Sequence, residues 1–151
     1  MYVKVLNEEV YAQELTHGFS PVHTGDAGVD LRSAEDVTVH AGETIAVKLG
    51  VALAVPFGHV GWLTGRSTTA LKMGLMVHEG KIDSGYRGEI HCFCTATGAP
   101  VPIKKGDRIC QLILLKIAQY PASFVYIPTD EEWAAMNTTR GEDGLGSTGL
   151  R

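Results

Sequence analysis

Positive charge is scarce in this sequence: 13 Lys and Arg stand against 17 Asp and Glu, a formal net charge of −4. That balance argues against broad binding of a nucleic acid polymer, which would favour a basic face, while a few local arginines still suffice for a small anion. Long hydrophobic runs are missing too. No segment approaches the roughly 18 apolar residues of a membrane span, and Met1-Tyr-Val-Lys-Val-Leu6 does not resemble a signal peptide. The expected location is the cytoplasm, with no membrane partner. Cysteine is limited to Cys92, Cys94 and Cys110, an odd count without a secretion signal, so a disulfide framework is not expected. His91-Cys92-Phe93-Cys94 invites a zinc reading, but strand alternation sends both thiols to one face and the imidazole to the other. The thiols read instead as small buried hydrophobes.

The rest of the composition is ordinary for one globular domain: 151 residues, 44% hydrophobic and 20% charged. Short apolar runs bounded by turn residues predict strands over 3–6, 37–39, 44–55, 59–64, 74–78, 89–95, 107–116 and 124–127. Ala41-Gly42, Pro56-Phe-Gly58, Ser84-Gly85, Gly98-Ala-Pro100 and Lys105-Gly106 supply the turns. Many short strands at this spacing predict an all-β sandwich or barrel. Helix is confined to a turn over Ser67–Lys72 and to a capping-box pattern, Thr129-Asp-Glu-Glu132, ahead of Trp133-Ala-Ala-Met136.

Residues 1–136 read as the domain and 137–151 as an arm that separates from it by composition. Glycines alternate there with Arg140, Ser147 and Thr148, which are donors suited to phosphate oxygens. The arm can close over a ligand, or it can be a frayed chain end. Its formal G-x-G-x-x-G match, Gly144 to Gly149, is not a dinucleotide fingerprint, because no strand precedes it and no helix follows.

Four further stretches carry polar groups that a purely structural β-domain does not need. In Ala27-Gly-Val-Asp30-Leu-Arg-Ser33 an acid sits in a small-residue turn, either as a ligand or as an acceptor for backbone N–H groups. Gly65-Arg66-Ser67-Thr68-Thr69 sets an arginine and hydroxyls at the start of a helical turn, a solution for phosphate or a plain N-cap. Gly80-Lys-Ile82-Asp83-Ser-Gly-Tyr86-Arg-Gly88-Glu-Ile90 reads as a hairpin, which either presents a base and a shape-selective wall or is only a charged turn. In Gly106-Asp-Arg108-Ile-Cys-Gln111-Leu an amide precedes an apolar run and needs a partner or a ligand.

In order, AGVDL, GRSTTALK, GKIDSGYRGEI, GDRICQLIL and RGEDGLGSTG resemble the five motifs of the homotrimeric deoxyuridine triphosphatases, over residues 27 to 149. The resemblance implies a distorted, jelly-roll-like β-barrel, a threefold trimer with active sites at subunit boundaries, and hydrolysis of dUTP to dUMP and pyrophosphate. Asp83 would activate the water that attacks the α-phosphorus, and Tyr86 would pack against deoxyribose and reject a 2′-hydroxyl. The hairpin backbone around Gly80 and Ile82 would read uracil. Arg66, Ser67 and Thr68 would hold phosphates, with Gln111 near them or near the attacking water. Arg140, Ser147 and Thr148 would clamp the β and γ groups as the arm closes, with Leu145 and Gly146 over the base. Asp30 would hold Mg²⁺ through water.

Three positions depart from the family pattern. Leu145 stands where an aromatic usually stacks on uracil, Asp143 stands for a glycine, and Val77-His78-Glu79 replaces a stretch that usually carries asparagine. The same fold also serves dCTP deaminases, which use a glutamate in place of the Asp83 position. A non-catalytic nucleotide sensor or a protein-binding module is the other alternative, and an additional protein partner stays open.

Overall fold

The computed structural model describes residues 1–118 and 127–136, and the chain divides into two units, Met1–Ala118 and Gln119–Arg151. In the first unit, period-two burial builds the sheets. Along Glu89–Ala96, Ile90, Cys92, Cys94 and Ala96 are buried while their neighbours are not. One sheet runs β1 (Tyr2–Val5), β4 (Thr44–Ala54), β8 (Glu89–Ala96), β6 (Leu75–Val77). A second runs β2 (Val29–Arg32), β10 (Arg108–Lys116), β5 (His59–Gly65), β7 (Gly80–Ile82), and β3 (Val37–Val39) pairs with β9 (Val101–Ile103). The named pairs are antiparallel, and their neighbours are mostly distant in sequence. The fold is therefore all-β and jelly-roll-like, as expected.

Val47, Leu49, Val51, Leu53 and Ile90 of the first sheet share one core cluster with Leu31, Leu63, Ile109 and Leu112 of the second. All three thiols lie in that core, and His91 is half-buried on the other face of β8. A hydrogen bond with Cys110, and then burial, push the Cys92 thiol far above its ordinary range. A hydrogen bond with Cys92, again with burial, does the same for Cys94.

Strand β9 was not expected from the sequence and gains its partner from the distant β3, and two further elements differ from the expectation. A short helix, α1 (Ala12–His17), forms with no side-chain N-cap. Long-range contacts make it instead. The buried Tyr11 hydroxyl donates to the Leu49 carbonyl at 2.9 Å and accepts from the Arg32 N–H at 3.0 Å, which ties the helix entry to both sheets. Burial pushes the Tyr11 phenol well up. The second difference is the Asp30 turn, which is strand β2, because β10 supplies a pairing partner some eighty residues away. The expected helical turn over Ser67–Lys72 appears as a π-helical turn, Thr69–Met73.

In the second unit, α2 (Asp130–Ala135) begins with the expected capping box: Thr129 Oγ1 accepts from the Glu132 N–H, and the Glu132 side chain accepts from the Thr129 N–H. The strand expected from Phe124 lies outside the described residues up to 126, and Ile127 is not in a strand. The arm residues Arg140, Leu145, Gly146, Ser147 and Thr148 also lie outside the described set.

Candidate active site

Strand register brings the first group of polar residues together. Gln111 on β10 lies opposite Asp30 on β2 and opposite Thr64 on β5, so one rung across three strands carries a carboxylate, an amide and a hydroxyl. The chain entering β2 presses on β10 so closely that a Cβ at Gly28 would lie 2.5 Å from the Leu112 carbonyl oxygen, which only glycine allows. Among the described residues Asp30 meets guanidiniums and no backbone donor. Its Oδ1 accepts from Arg66 Nε at 2.7 Å, and Arg108 Nε lies 3.8 Å from Oδ2.

Arg66 follows β5 and is held at a second point, with Nη1 donating to the Arg108 carbonyl at 3.0 Å. The buried Thr69 hydroxyl donates to the Ile109 carbonyl at 3.1 Å, which fixes the π-helical turn on β10. Thr68 occupies the N-cap position without a side-chain capping bond. Ser67 and Thr68 are exposed, and among the described residues neither hydroxyl is engaged. Gln111 Nε2 donates to the Gly65 carbonyl at 3.0 Å, so its Oε1 remains available as an acceptor. A cavity of about 370 Å³ is lined by Gly28, Asp30, Arg66, Ser67, Thr68, Arg108 and Gln111 among others. The lining sets the two guanidiniums of Arg66 and Arg108 against the carboxylates of Asp26 and Asp30, and its guanidinium N–H donors and free hydroxyls suit an oxyanion chain.

The second group lies on the loop between β7 and β8, which is not the expected hairpin, because β7 pairs with β5 and β8 with β4 and β6 in the other sheet. The Tyr86 N–H donates to the Asp83 carbonyl at 3.1 Å, closing the turn, and the Tyr86 hydroxyl donates to the Glu89 carbonyl at 3.1 Å. The hydroxyl end of the ring lies against Gly88, where a Cβ would be 2.3 Å from the phenol oxygen and 2.6 Å from Cζ. Asp83 is exposed, and its carboxylate makes no hydrogen bond or ion pair among the described residues. Gly80, Ile82, Asp83 and Tyr86 line one cavity of about 250 Å³, together with His78, Glu89, His91 and Phe93 among others.

Among the described residues none lines both cavities. Their separation follows from the sheet. Asp30 is on the edge strand β2 and Asp83 follows the opposite edge strand β7, three strand spacings away, or roughly 14 Å. The rung of Asp30 meets β5 at Thr64, whereas Ile82 meets it at Gly61, which puts Asp83 near Val60 and about 13 Å along the strands. The two carboxylates of one chain are therefore on the order of 20 Å apart.

A family model described as dUTPase matches residues 16–149. The chain belongs to the dUTPase family. It is 43% identical over 134 residues to the deoxyuridine 5′-triphosphate nucleotidohydrolase of Mycolicibacterium gilvum, which is 86% of each chain. The protein of that name from Mycobacterium tuberculosis H37Rv is 42% identical over the same share of both chains. Among solved structures, the dUTPase of Staphylococcus bacteriophage 80alpha with dUPNHPP superposes with a TM-score of 0.80 at 28% identity, covering 99% of this chain and 98% of that one. A dUTPase of phage phi11 of S. aureus, in which coordination of a structural Mg(II) ion is described, has a TM-score of 0.71 at 26% identity over 82% of this chain and 95% of that one.

Of the expected residues, Asp30, Arg66, Ser67, Thr68 and Gln111 converge on the first cavity, and Gly80, Ile82, Asp83 and Tyr86 on the second. Arg108 was not among them. Its only signal in sequence is a place three residues before Gln111, and pairing with β2 is what sets it beside Asp30.

Proposed function

We propose that the chain hydrolyses dUTP to dUMP and pyrophosphate, using sites assembled from more than one copy of itself. The observation that carries this reading is the Asp83 carboxylate, exposed and without a partner among the described residues, beside Tyr86 in a cavity separate from that of Arg66. Asp83 orients a water molecule and takes its proton as the oxygen attacks the α-phosphorus. The bond from that phosphorus to the bridging oxygen breaks, and pyrophosphate leaves. The Tyr86 ring, anchored to Glu89 and backed by Gly88, forms a wall that fits deoxyribose and clashes with a 2′-hydroxyl. Backbone groups at Gly80 and Ile82 read the uracil edge.

Arg66, Ser67 and Thr68 hold the phosphate chain, and Gln111 Oε1 accepts from the attacking water or orders a phosphate-bound one. The distance between Asp30 and Asp83 within a chain exceeds what a single phosphate chain can bridge, so one copy supplies the Asp83 loop and a neighbour the Arg66 cavity. A homotrimer satisfies this three times over. Arg140, Ser147 and Thr148 then close on the β and γ groups, with Leu145 and Gly146 over the base.

Asp30 fits a magnesium ion of a particular kind. Among the described residues no group of three His, Cys, Asp or Glu side chains could hold a metal, and the cavity offers the carboxylates of Asp30 and Asp26, too few for an all-protein cage. That suits Mg²⁺ that keeps its waters and brings phosphate oxygens as ligands, with Asp30 accepting from the water shell. When bound, the ion neutralises phosphate charge.

The test is pyrophosphate release from dUTP by the wild-type protein and by Asp83→Asn. Turnover by the wild type, with a loss of about a thousandfold in the variant and retained nucleotide binding, is expected. Ammonia release from dCTP would establish the deaminase alternative, and nucleotide binding without turnover the sensor alternative.

A further inference from the structure

The cations around the first cavity are unequally committed. Arg32 gives Nε and Nη2 to Glu14 at 3.4 Å each and Nη1 to the Gly106 carbonyl at 3.2 Å. Arg66 gives Nε to Asp30 and Nη1 to the Arg108 carbonyl. The Arg108 side chain, by contrast, is 43% exposed, and its one charged contact among the described residues is the 3.8 Å approach to Asp30. At that length the contact is an ion pair without a hydrogen bond. Arg108 therefore keeps its full fork of N–H donors.

Its position matters as much as its freedom. Arg108 and Asp30 line both the 370 Å³ cavity and an adjoining cavity of about 180 Å³ beneath α1, with Glu14, His17 and Phe19. Ser67, Thr68 and Arg66 line only the first of these. A phosphate chain that begins at the Arg66 end and extends past Asp30 meets Arg108 next. Mg²⁺ held near Asp30 by its waters does not remove the need for a cation there, because a triphosphate carries about four negative charges against two from the ion.

We propose that Arg108 is a further phosphate-binding residue of this site, and that its free guanidinium fork takes the phosphate oxygens farthest from the nucleoside. The proposal rests on the assignment of this cavity to the phosphate chain. A residue with this role is sensitive to phosphate number, whereas one that only braces Asp30 or the trimer is not.

The experiment is calorimetric titration of the full chain with dUMP, dUDP and non-hydrolysable α,β-imido-dUTP, each with Mg²⁺, for wild type, Arg108→Gln, Arg108→Lys and Arg66→Gln, with the oligomeric state checked by sedimentation. Arg108→Gln is expected to weaken α,β-imido-dUTP about tenfold or more and dUMP less than twofold, with dUDP between. Arg108→Lys, which keeps the charge and loses the fork, is expected to recover part of the loss. If Arg108→Gln does not fold, Arg108→Lys alone decides, through a loss of about threefold confined to the imido-triphosphate. Equal weakening of all three nucleotides, or none, overturns the role of Arg108. If Arg66→Gln also leaves the imido-triphosphate affinity unchanged, the assignment of the cavity itself fails.

Discussion

Gly88→Ala isolates the wall that Tyr86 makes. The added Cβ would lie 2.3 Å from the phenol oxygen, 2.6 Å from Cζ and 3.1 Å from Cε2, against ordinary contacts of about 3.4 Å or more. The ring has to move by about 1 Å, and the 3.1 Å bond from its hydroxyl to the Glu89 carbonyl is lost with that shift. Loss of one exposed hydrogen bond costs about 1 kcal/mol, a small effect on stability. Catalysis is more sensitive, because displacement of a positioning group by about 1 Å can cost on the order of a hundredfold. Gly85→Ala is the matched control: it lies in the same loop, nothing stands within 4 Å of its added Cβ, and its φ is not positive. The assay is kcat/KM for dUTP and for UTP. Gly88→Ala is expected to lower the dUTP value by about ten- to a hundredfold and to narrow the gap between the two substrates, while Gly85→Ala leaves both unchanged. If the two variants behave alike, the placement of Tyr86 does not set sugar selectivity.

Gly28→Ala pushes a methyl group into the Leu112 carbonyl at 2.5 Å, where neither strand can yield, and is expected to cost about 2 kcal/mol, read as a lower denaturant midpoint. Alkaline pH should destabilise the fold. Tyr11, Cys92 and Cys94 have folded values raised above their ordinary 10.0, 9.0 and 9.0, so their contribution is complete below about pH 9 and is lost as pH rises, by up to about 1.4 kcal/mol per unit for each group. A Tm unchanged between pH 8 and pH 10.5 would contradict this. The three buried thiols are expected to resist maleimide in the native protein and to react on unfolding, and rapid native labelling would contradict their burial. Leu145→Phe should tighten dUTP binding or raise turnover if lost stacking limits closure of the arm, and unchanged kinetics would mean that another residue covers the base.

Strands with their own alternation, such as β4, β8 and β10, were legible in sequence, as was the capping box at Thr129, because the forces that form them are local. Helix α1 was not legible. It has no capping side chain, and what holds it is a hydroxyl from Tyr11 to two strands that start more than fifteen residues later. Strand β2 reads as a turn in sequence because its four residues acquire ladder partners only when β10 arrives. The members of the site could be named from motif chemistry, but their grouping could not. Gln111 belongs with Asp30 through a register, and Asp83 is separated from both by the width of a sheet. Arg108 escaped notice for the same reason, since its role depends on which donors its neighbours have already used.

The division of chemical groups between two separate hollows has a genetic corollary. If each site draws on two copies, as proposed, a copy inactivated at Asp83 still brings an intact Arg66 cavity, and a copy inactivated at Arg66 still brings an intact Asp83 loop. Mixed from two such alleles, neither active alone, reassembled oligomers contain some pairings of sound halves and recover a fraction of the parental rate. Inheriting two different lesions would then be milder than inheriting either one twice.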